Sequence, residues 1–348
     1  MKVKWGVIGA GGIARRRTIP EGIAKAKNAR LVAVMDVDAK AIGEVAEEFR
    51  VKAAYTDVDA LLADPEVEAV YIATPAHLHK EQFQQCVRAG KHVLVEKPLA
   101  HTMADARTMA RSAAAAKVKC AEGYMMKFHP LHQKAREMVL GGQVGKPVCV
   151  RGQLSCWFPP IKGAWRQDSS KGGGGSLVDM ASHVYDLFQY ILDSPVVEVT
   201  AMTGTLVHKY PVEDSATTLL RFANGCQGMV DAFFNIPDEV CPRVMEIYGS
   251  EGAIMSEGTI GQGGGTMKAC SLGKVGGYDA QQARGGAQGF KEIKPGKYNM
   301  YRGEVEALSE AILQDKPVEM NSVSEGLQIM KIMDAAYKSA KTGRTVKL

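Results

Sequence analysis

Short apolar runs alternate with amphipathic stretches through the first third of the chain. The run at residues 3–8, "VKWGVI", is strand-like, and a helical stretch follows it. "ARLVAVMDVD" (29–38) is a second apolar strand, and "VEAVYIATP" (67–75) is a buried-type strand ending in a turn. "HLHKEQFQQCVRAG" (77–90) has helical spacing and closes on Gly90, a residue suited to a helix C-terminus. "KHVLVEKPLA" (91–100) is a strand ending in charge, 102–117 is a helix with Thr102 as its N-cap, and "VKCAEGY" (118–124) is one more strand. Strands and helices in this alternation predict a parallel, doubly wound sheet. Ligands of such sheets bind outside the carboxyl ends of the strands.

The pattern changes after residue 124. A helix over 128–142, a strand over 146–158, a loop over 159–176 and a helix over 177–192 come first. Four strand-like runs then follow one another at 196–206, 215–222, 226–236 and 242–249. Strands in succession without intervening helices predict an antiparallel sheet. Residues 258–297 are glycine-rich and expected to be irregular, as an interface arm or a loop over substrate, and helices at 301–316 and 322–343 close the chain. At 348 residues the chain exceeds the ~250–300 at which single cores stop growing. Two domains are expected, residues 1–124 and 125–348.

Composition narrows the class. The net charge is +5 and the one basic cluster is "ARRRT" (14–18), too little for a nucleic-acid footprint and better suited to a small anion. The seven cysteines are scattered singly, with no zinc spacing, as expected of thiols in a reducing compartment. No signal-peptide pattern precedes the first strand, and no apolar run approaches the ~20 residues of a membrane span, so a cytoplasmic protein with no membrane partner is expected.

Chemistry concentrates at strand ends. Gly9, Gly11 and Ala14, with Gly12 and Ile13 between them, fit G-x-G-x-x-A after the first strand. The first glycine permits the turn, the second lets backbone approach a pyrophosphate, and Ala14 keeps the helix close to the strand. Asp36 ends the second strand, where a carboxylate accepts from ribose hydroxyls and repels a 2′-phosphate. That favours NAD, whereas Arg15 and Arg16 would favour NADP. Thr74, Pro75, Glu96, Lys97 and Pro98 also fall at strand ends. Lys97, between Glu96 and a proline that restricts it and permits a cis peptide, is placed as an electrophilic or proton-handling group. His77 and His79 follow "TP"; one of them is expected to touch the cofactor, and no metal is expected without further ligands.

The phrases "GAGGIA", "EKP" and "GGGGSLVDMASH" together resemble the glucose–fructose oxidoreductase/inositol dehydrogenase (Gfo/Idh/MocA) family. "TPAHLH", "AGKHVLVEKPLA", "GYMMKF", "WR" at 165–166, "VEDSATTLLRFANG" and "YGSEGAI" extend the likeness over nearly the whole chain. The resemblance implies a Rossmann domain that binds a nicotinamide cofactor, and an α+β C-terminal domain with a large, open, mostly antiparallel sheet that pairs with a neighbour's in homodimers or homotetramers. It implies sugar or cyclitol substrates and makes Lys97, Asp179 and His183 the polar set. Trp165 and Arg166 resemble the pair near the nicotinamide carboxamide.

Asp179 and His183, at i and i+4, share a helix face. The glycine run before them is expected to bring backbone near the nicotinamide end of the cofactor. Oxidation of a secondary alcohol needs a hydride acceptor and a base. His183 suits the base, Asp179 orients it or bonds a neighbouring hydroxyl, and Lys97 stabilises alkoxide charge and joins a proton relay. Tyr124, Lys127 and Trp157 suit a polyol site, although core packing accounts equally well for the two aromatics. An NAD(P)-dependent dehydrogenase is the leading expectation. A glycoside-active enzyme with transient oxidation, a ketose reductase and a non-catalytic dinucleotide-binding regulator are the alternatives.

Overall fold

The computed structural model describes residues 1–261, 264–274, 276–278, 280, 289–296 and 299–348. They fall into two units. The first comprises Met1–Phe128, Ala164–Gly173 and Tyr298–Lys331, and the second His129–Gly163, Gly174–Lys297 and Ile332–Leu348.

Among the described residues of the first unit, the strands are β1 (Val3–Ile8), β2 (Ala29–Met35), β3 (Ala53–Tyr55), β4 (Ala69–Ile72), β5 (His92–Val95) and β6 (Cys120–Glu122). They lie in the order β3-β2-β1-β4-β5-β6, and every pairing is parallel. The four residues of β4 are all buried, as a strand inside a parallel sheet requires. Helix starts obey the expected chemistry. Thr102 Oγ1 accepts the Asp105 N–H at 3.1 Å ahead of helix Met103–Ala115. Gly90, with φ +70°, follows helix Ala76–Arg88. The strand β3 and the helix Val58–Ala63 have no counterpart in the sequence reading, because three residues of "AAY" are too short to show a period.

The core of this unit takes in residues from the far end of the chain. Val3, Trp5 and Val7 of β1 pack in one cluster with Val305 and Leu308 of helix Met300–Leu313. The Trp5 indole N–H donates to Ser309 Oγ at 3.1 Å, 304 residues later.

In the second unit the described strands are β7 (Pro147–Ser155), β8 (Val196–Gly204), β9 (Ser215–Phe222), β10 (Gln227–Phe233), β11 (Val244–Gly249), β12 (Gly252–Glu257), β13 (Thr266–Ser271), β14 (Lys291–Ile293) and β15 (Val346–Lys347). Their order is β14-β13-β12-β11-β7-β10-β9-β8-β15. The pairings are antiparallel, apart from the parallel pair β7 and β10. Two strands, β13 and β14, occupy the glycine-rich stretch expected to be irregular. β13 begins with the alternation a half-buried strand needs, with Met267 inward between exposed Thr266 and Lys268, and then buries both Ala269 and Cys270. The remainder of that stretch lies partly outside the described residues.

Alternation along β9 buries Ala216, Thr218, Leu220 and Phe222 and leaves Leu219 and Arg221 exposed. Helix Ser182–Leu192 covers the buried face. It lies so close that a Cβ at Gly152 of β7 would stand 2.6 Å from Val184 Cγ1. On the other face Leu219 pairs with Met229, Met229 with Arg151 and Arg151 with Glu246. Among the described residues no helix is long and apolar enough to cross a membrane.

Ser309→Ala leaves the buried Trp5 indole N–H without its partner. The expected loss is about 1–2 kcal/mol of unfolding free energy, read as a lower denaturant midpoint at unchanged slope.

Candidate active site

The chain leaves β1 at Gly9 with φ +81°, where a Cβ would lie 2.8 Å from Thr74 Cγ2 and 2.9 Å from the Ala73 carbonyl carbon. Only glycine fits there. The Gly11 N–H donates to Asp36 Oδ2 at 2.9 Å, and Asp38 N–H donates to Asp36 Oδ1 at 3.2 Å. Asp36 is thereby held across the turn at the end of β2. Gly12 breaks the helical path at φ −93° and ψ −124°, and a Cβ there would meet nothing within 4 Å. Ile13 is half-buried, and Ala14 is buried in the core, which keeps the helical segment Ala10–Ile23 against the sheet. Arg15, a candidate for a 2′-phosphate, is instead paired with Glu48 at 2.7 Å and Glu44 at 3.0 Å; Arg16 is exposed.

The turns after β4 and β5 are tied together. Thr74 Oγ1 donates to Gln82 Oε1 at 2.6 Å. Pro75 sits at the start of helix Ala76–Arg88. The ring nitrogens of His79 lie 2.8 Å from the Thr74 carbonyl oxygen and 3.0 Å from that of Pro98. His79 is fully buried, so the ring joins two strand-end turns and presents neither nitrogen to a ligand. This corrects the expected cofactor contact from His79; His77 is exposed. Burial lowers the His79 pKa and so favours the neutral ring, which has one N–H to donate to one of the two carbonyls.

The Lys97–Pro98 peptide is cis. The Lys97 N–H donates to Glu96 Oε2 at 3.2 Å, and the Tyr71 hydroxyl donates to Glu96 Oε1. Burial raises the Glu96 pKa against the opposing influences of Tyr71, Lys97 and Arg166. The Arg166 guanidinium lies over the Trp165 ring at 4.3 Å from its centroid. The first unit therefore gathers the glycine turn, Asp36, Thr74, Pro75, Glu96, Lys97, Trp165 and Arg166 at the strand ends. Tyr124 and Lys127 are each 2 % exposed, and Lys127 pairs with Glu325 at 3.0 Å. Tyr124 thus fits the core packing that was one of its two readings, and Lys127 is buried where a polyol contact was expected.

Asp179 and His183 stand in the second unit. The residues Leu177–Ala181 form a π-type turn that runs into helix Ser182–Leu192, where a plain α-helix had been expected. Asp179 is half-buried and His183 is buried. The glycine run has a cause other than a cofactor. A Cβ on Gly175 would stand 1.9 Å from the Glu213 carbonyl oxygen, and one on Gly174 would stand 1.9 Å from the Tyr337 hydroxyl. Glu213 Oε1 accepts from Gly175 N–H at 2.9 Å, Leu177 N–H at 3.0 Å and the Tyr337 hydroxyl at 2.8 Å. Glu213 thus caps the π-type turn with a carboxylate. Further along, Ser182 Oγ donates to the Val178 carbonyl at 2.7 Å, and the Tyr185 hydroxyl donates to Thr218 Oγ1 at 3.1 Å. The second of these, to β9 of the sheet, fixes the rotation of the His183 helix. Trp157, beyond β7, is 43 % exposed and meets the His208 ring edge-on at 4.8 Å.

Tyr71, Glu213 and Tyr337 were absent from the sequence reading. Tyr71 reads as an ordinary apolar strand residue. Glu213 acts on backbone 36 and 38 residues away, a distance that leaves no local pattern. Among the described residues no group of three or more His, Cys, Asp or Glu side chains is placed to hold a metal ion.

A profile described as "Oxidoreductase family, NAD-binding Rossmann fold" matches residues 3–124, and one described as "GFO/IDH/MocA C-terminal domain" matches residues 132–255. The chain is 32 % identical over 261 residues to 1,5-anhydro-D-fructose reductase of Ensifer adhaerens, covering 74 % of this chain and 77 % of that one. It is 32 % identical over 255 residues to myo-inositol 2-dehydrogenase of Thermotoga maritima, covering 72 % and 75 %. The crystal structure of aldose-aldose oxidoreductase from Caulobacter crescentus, complexed with glycerol, shares the fold with a TM-score of 0.88, 24 % identity and full coverage of both chains.

Gly175→Ala drives a methyl into the Glu213 backbone. It is expected to cost about 3 kcal/mol or more, and Glu213→Ala about 2 kcal/mol, both measured by denaturant unfolding. A pH dependence is expected from His79. Its folded pKa is depressed, so the unfolded chain binds the extra proton. Stability is full above the ordinary imidazole value of about 6.5 and falls as pH drops below it. His79→Gln should flatten the loss of Tm below about pH 6.5. A residual slope is expected from His92 and His129, which burial also lowers.

Proposed function

Because this chain belongs to the GFO/IDH/MocA family of oxidoreductases with an NAD-binding Rossmann fold, we propose that it is an NAD-dependent dehydrogenase oxidising a secondary alcohol of a sugar, sugar derivative or cyclitol. The observation that carries this reading is the meeting of the Gly9 turn, Asp36, the Thr74 turn and the E-K-P turn at the strand ends of one parallel sheet. That edge fits a dinucleotide. The Gly9–Ala14 turn leaves open space at Gly12 for a phosphate, at the start of a helical segment. Asp36, steadied by two backbone N–H groups, faces a ribose with acceptors. Its charge disfavours a 2′-phosphate, and the Arg15 guanidinium is engaged by two glutamates, which supports NAD over NADP.

The nicotinamide, when bound, supplies the hydride acceptor. The chain handles the proton. His183 takes it from the hydroxyl as general base, since an imidazole titrates near working pH. Asp179, four residues earlier, orients the ring or bonds a neighbouring hydroxyl. Lys97, whose own N–H donates to Glu96, stabilises alkoxide charge and passes the proton on. Trp165 and Arg166, stacked on one another, would hold the carboxamide end of a bound nicotinamide. The exposed face of the second sheet, with Leu219, Met229 and Arg151 in one row, is the surface by which copies pair as homodimers or homotetramers. The seven cysteines are thiols, as suits the cytosol.

The test is turnover with NAD or NADP against a panel of sugars, cyclitols and glycosides, followed by reduced-cofactor absorbance. NADH from one polyol class is expected, with Lys97→Met slower by about 10²–10⁴-fold. Tight NAD binding with no NADH from any member would defeat the dehydrogenase reading. Glycoside cleavage without NADH would then identify transient oxidation, and ketose-dependent NAD(P)H loss would identify a reductase.

A further inference from the structure

Tyr71 is a tyrosine where its strand asks only for an apolar ring. Its neighbours in β4, Val70 and Ile72, are buried, and its own ring packs in the core cluster with Ala14, Ile19 and Val305. The side chain is fully buried, and a hydroxyl in such a place costs stability unless it is hydrogen-bonded. Here the hydroxyl stands in a chain of hydrogen bonds. Thr18 Oγ1, also fully buried, donates to the Tyr71 oxygen at 2.9 Å, and the Tyr71 hydroxyl donates to Glu96 Oε1. Glu96 Oε2 accepts from the Lys97 N–H at 3.2 Å. The chain starts on the helical segment Ala10–Ile23, passes through β4 and ends in the E-K-P turn. Because both Glu96 oxygens accept, neither carries a proton in this arrangement. Burial pushes the Glu96 pKa up, and the Tyr71 hydrogen bond is the largest influence that opposes it, ahead of Lys97 and of Arg166 from the segment Trp165–Gln167. From helix Met300–Leu313, Glu304 and Tyr301 feel the Glu96 charge. Burial and that charge hold the Tyr71 phenol well above its ordinary value, so the phenol keeps the proton that it donates.

We propose that Tyr71 is a positioning residue for Lys97, oriented in turn by Thr18: its hydroxyl keeps Glu96 a carboxylate, and that carboxylate holds the main chain at Lys97. The inference deepens the dehydrogenase reading and rests on it. Lys97 meets the alkoxide with its side chain, and the main chain that carries the side chain sets its direction. A Glu96 that takes up a proton turns one acceptor oxygen into a donor. Either the phenol or the Lys97 N–H then loses its partner, and the turn is no longer held from both sides. Misplacement by about 1 Å is enough to slow a reaction by about 10²-fold. Tyr71 and Thr18 act through Glu96.

The experiment measures kcat and KM for NADH formation with the active polyol, from about pH 6 to about pH 9. It compares the unaltered protein with Tyr71→Phe, Thr18→Val and the double variant. A hydrogen bond to a charged acceptor is worth on the order of one pKa unit or more. Tyr71→Phe is therefore expected to lower kcat about tenfold at about pH 6, with KM for NAD within about twofold. The deficit should shrink as pH rises and Glu96 ionises again. Thr18→Val should show a smaller deficit with the same pH dependence, and no further loss when added to Tyr71→Phe, because it acts through the phenol. It also decides the question by itself if Tyr71→Phe does not fold. A deficit that is constant with pH, or losses that multiply in the double variant, would mark a merely structural defect and overturn the proposal. So would a Tyr71→Phe protein as active as the unaltered one at low pH. Infrared difference spectra test the same hold without turnover. At about pH 6 Tyr71→Phe should gain a carboxylic-acid carbonyl band that Tyr71→Phe/Glu96→Gln lacks, and no gain overturns the proposal. Absence of NADH from the unaltered protein defeats the dehydrogenase reading, and the infrared comparison then decides the hold on Glu96.

Discussion

A parallel sheet allows no hairpins. Each strand of the first unit must be followed by a crossover before the next strand begins, so the chain leaves β1, β2, β4 and β5 along the same edge. Every chemical feature of that unit depends on this constraint. Gly9, Asp36, Thr74 and Lys97 are far apart in sequence, yet each occupies the first positions after a strand. The order β3-β2-β1-β4-β5-β6 then separates the turns after β1 and β4 onto opposite crossovers and opens a crevice between them. The Gly11–Asp36 hydrogen bond and the seating of His79 between the Thr74 and Pro98 carbonyls are short-range consequences of a long-range rule.

The second unit solves a different problem. A buried helix start leaves several N–H groups without intrahelical partners. The Glu213 carboxyl meets two of them from the end of a loop, and the price is steric. The Glu213 backbone comes so near that only glycine is tolerated at 175, and Tyr337 imposes the same demand at 174. A glycine run beside a carboxylate–imidazole pair reads naturally as a ligand cradle. Here it is accounted for by packing within the unit. Function and packing are not exclusive, since the same clasp fixes where Asp179 and His183 begin their helix.

Buried acids mark the places where packing alone is a poor account. Glu96 has hydrogen bonds to offset its burial, whereas Glu304 has none among the described residues. Stability alone would favour an apolar residue at 304. Glu304 lines a cavity of about 240 Å³ together with Glu122 and Asn321.

The sequence alone determined the period of the longer elements and therefore the parallel sheet, the glycine turn, Asp36 at the end of β2, the lysine at the end of β5 and the strand succession of the second unit. These rest on local rules of spacing, capping and turn chemistry, which operate within a few residues. It erred where a residue's partner is distant. His79 follows a "TP" turn and looks ligand-facing, but a carbonyl from the next crossover takes its second nitrogen. Lys127 looks like a polyol contact, but it is buried and pairs with Glu325, whose side chain reaches solvent. The glycine-rich stretch hid β13 and β14, because glycines mask alternation that neighbouring strands enforce. Tertiary structure alone decided that helix Met300–Leu313 packs on β1, that the Tyr71 hydroxyl meets Glu96, and that Glu213 holds the start of the His183 helix. Those contacts depend on which surfaces burial brings together across tens to hundreds of residues, and no local pattern encodes them.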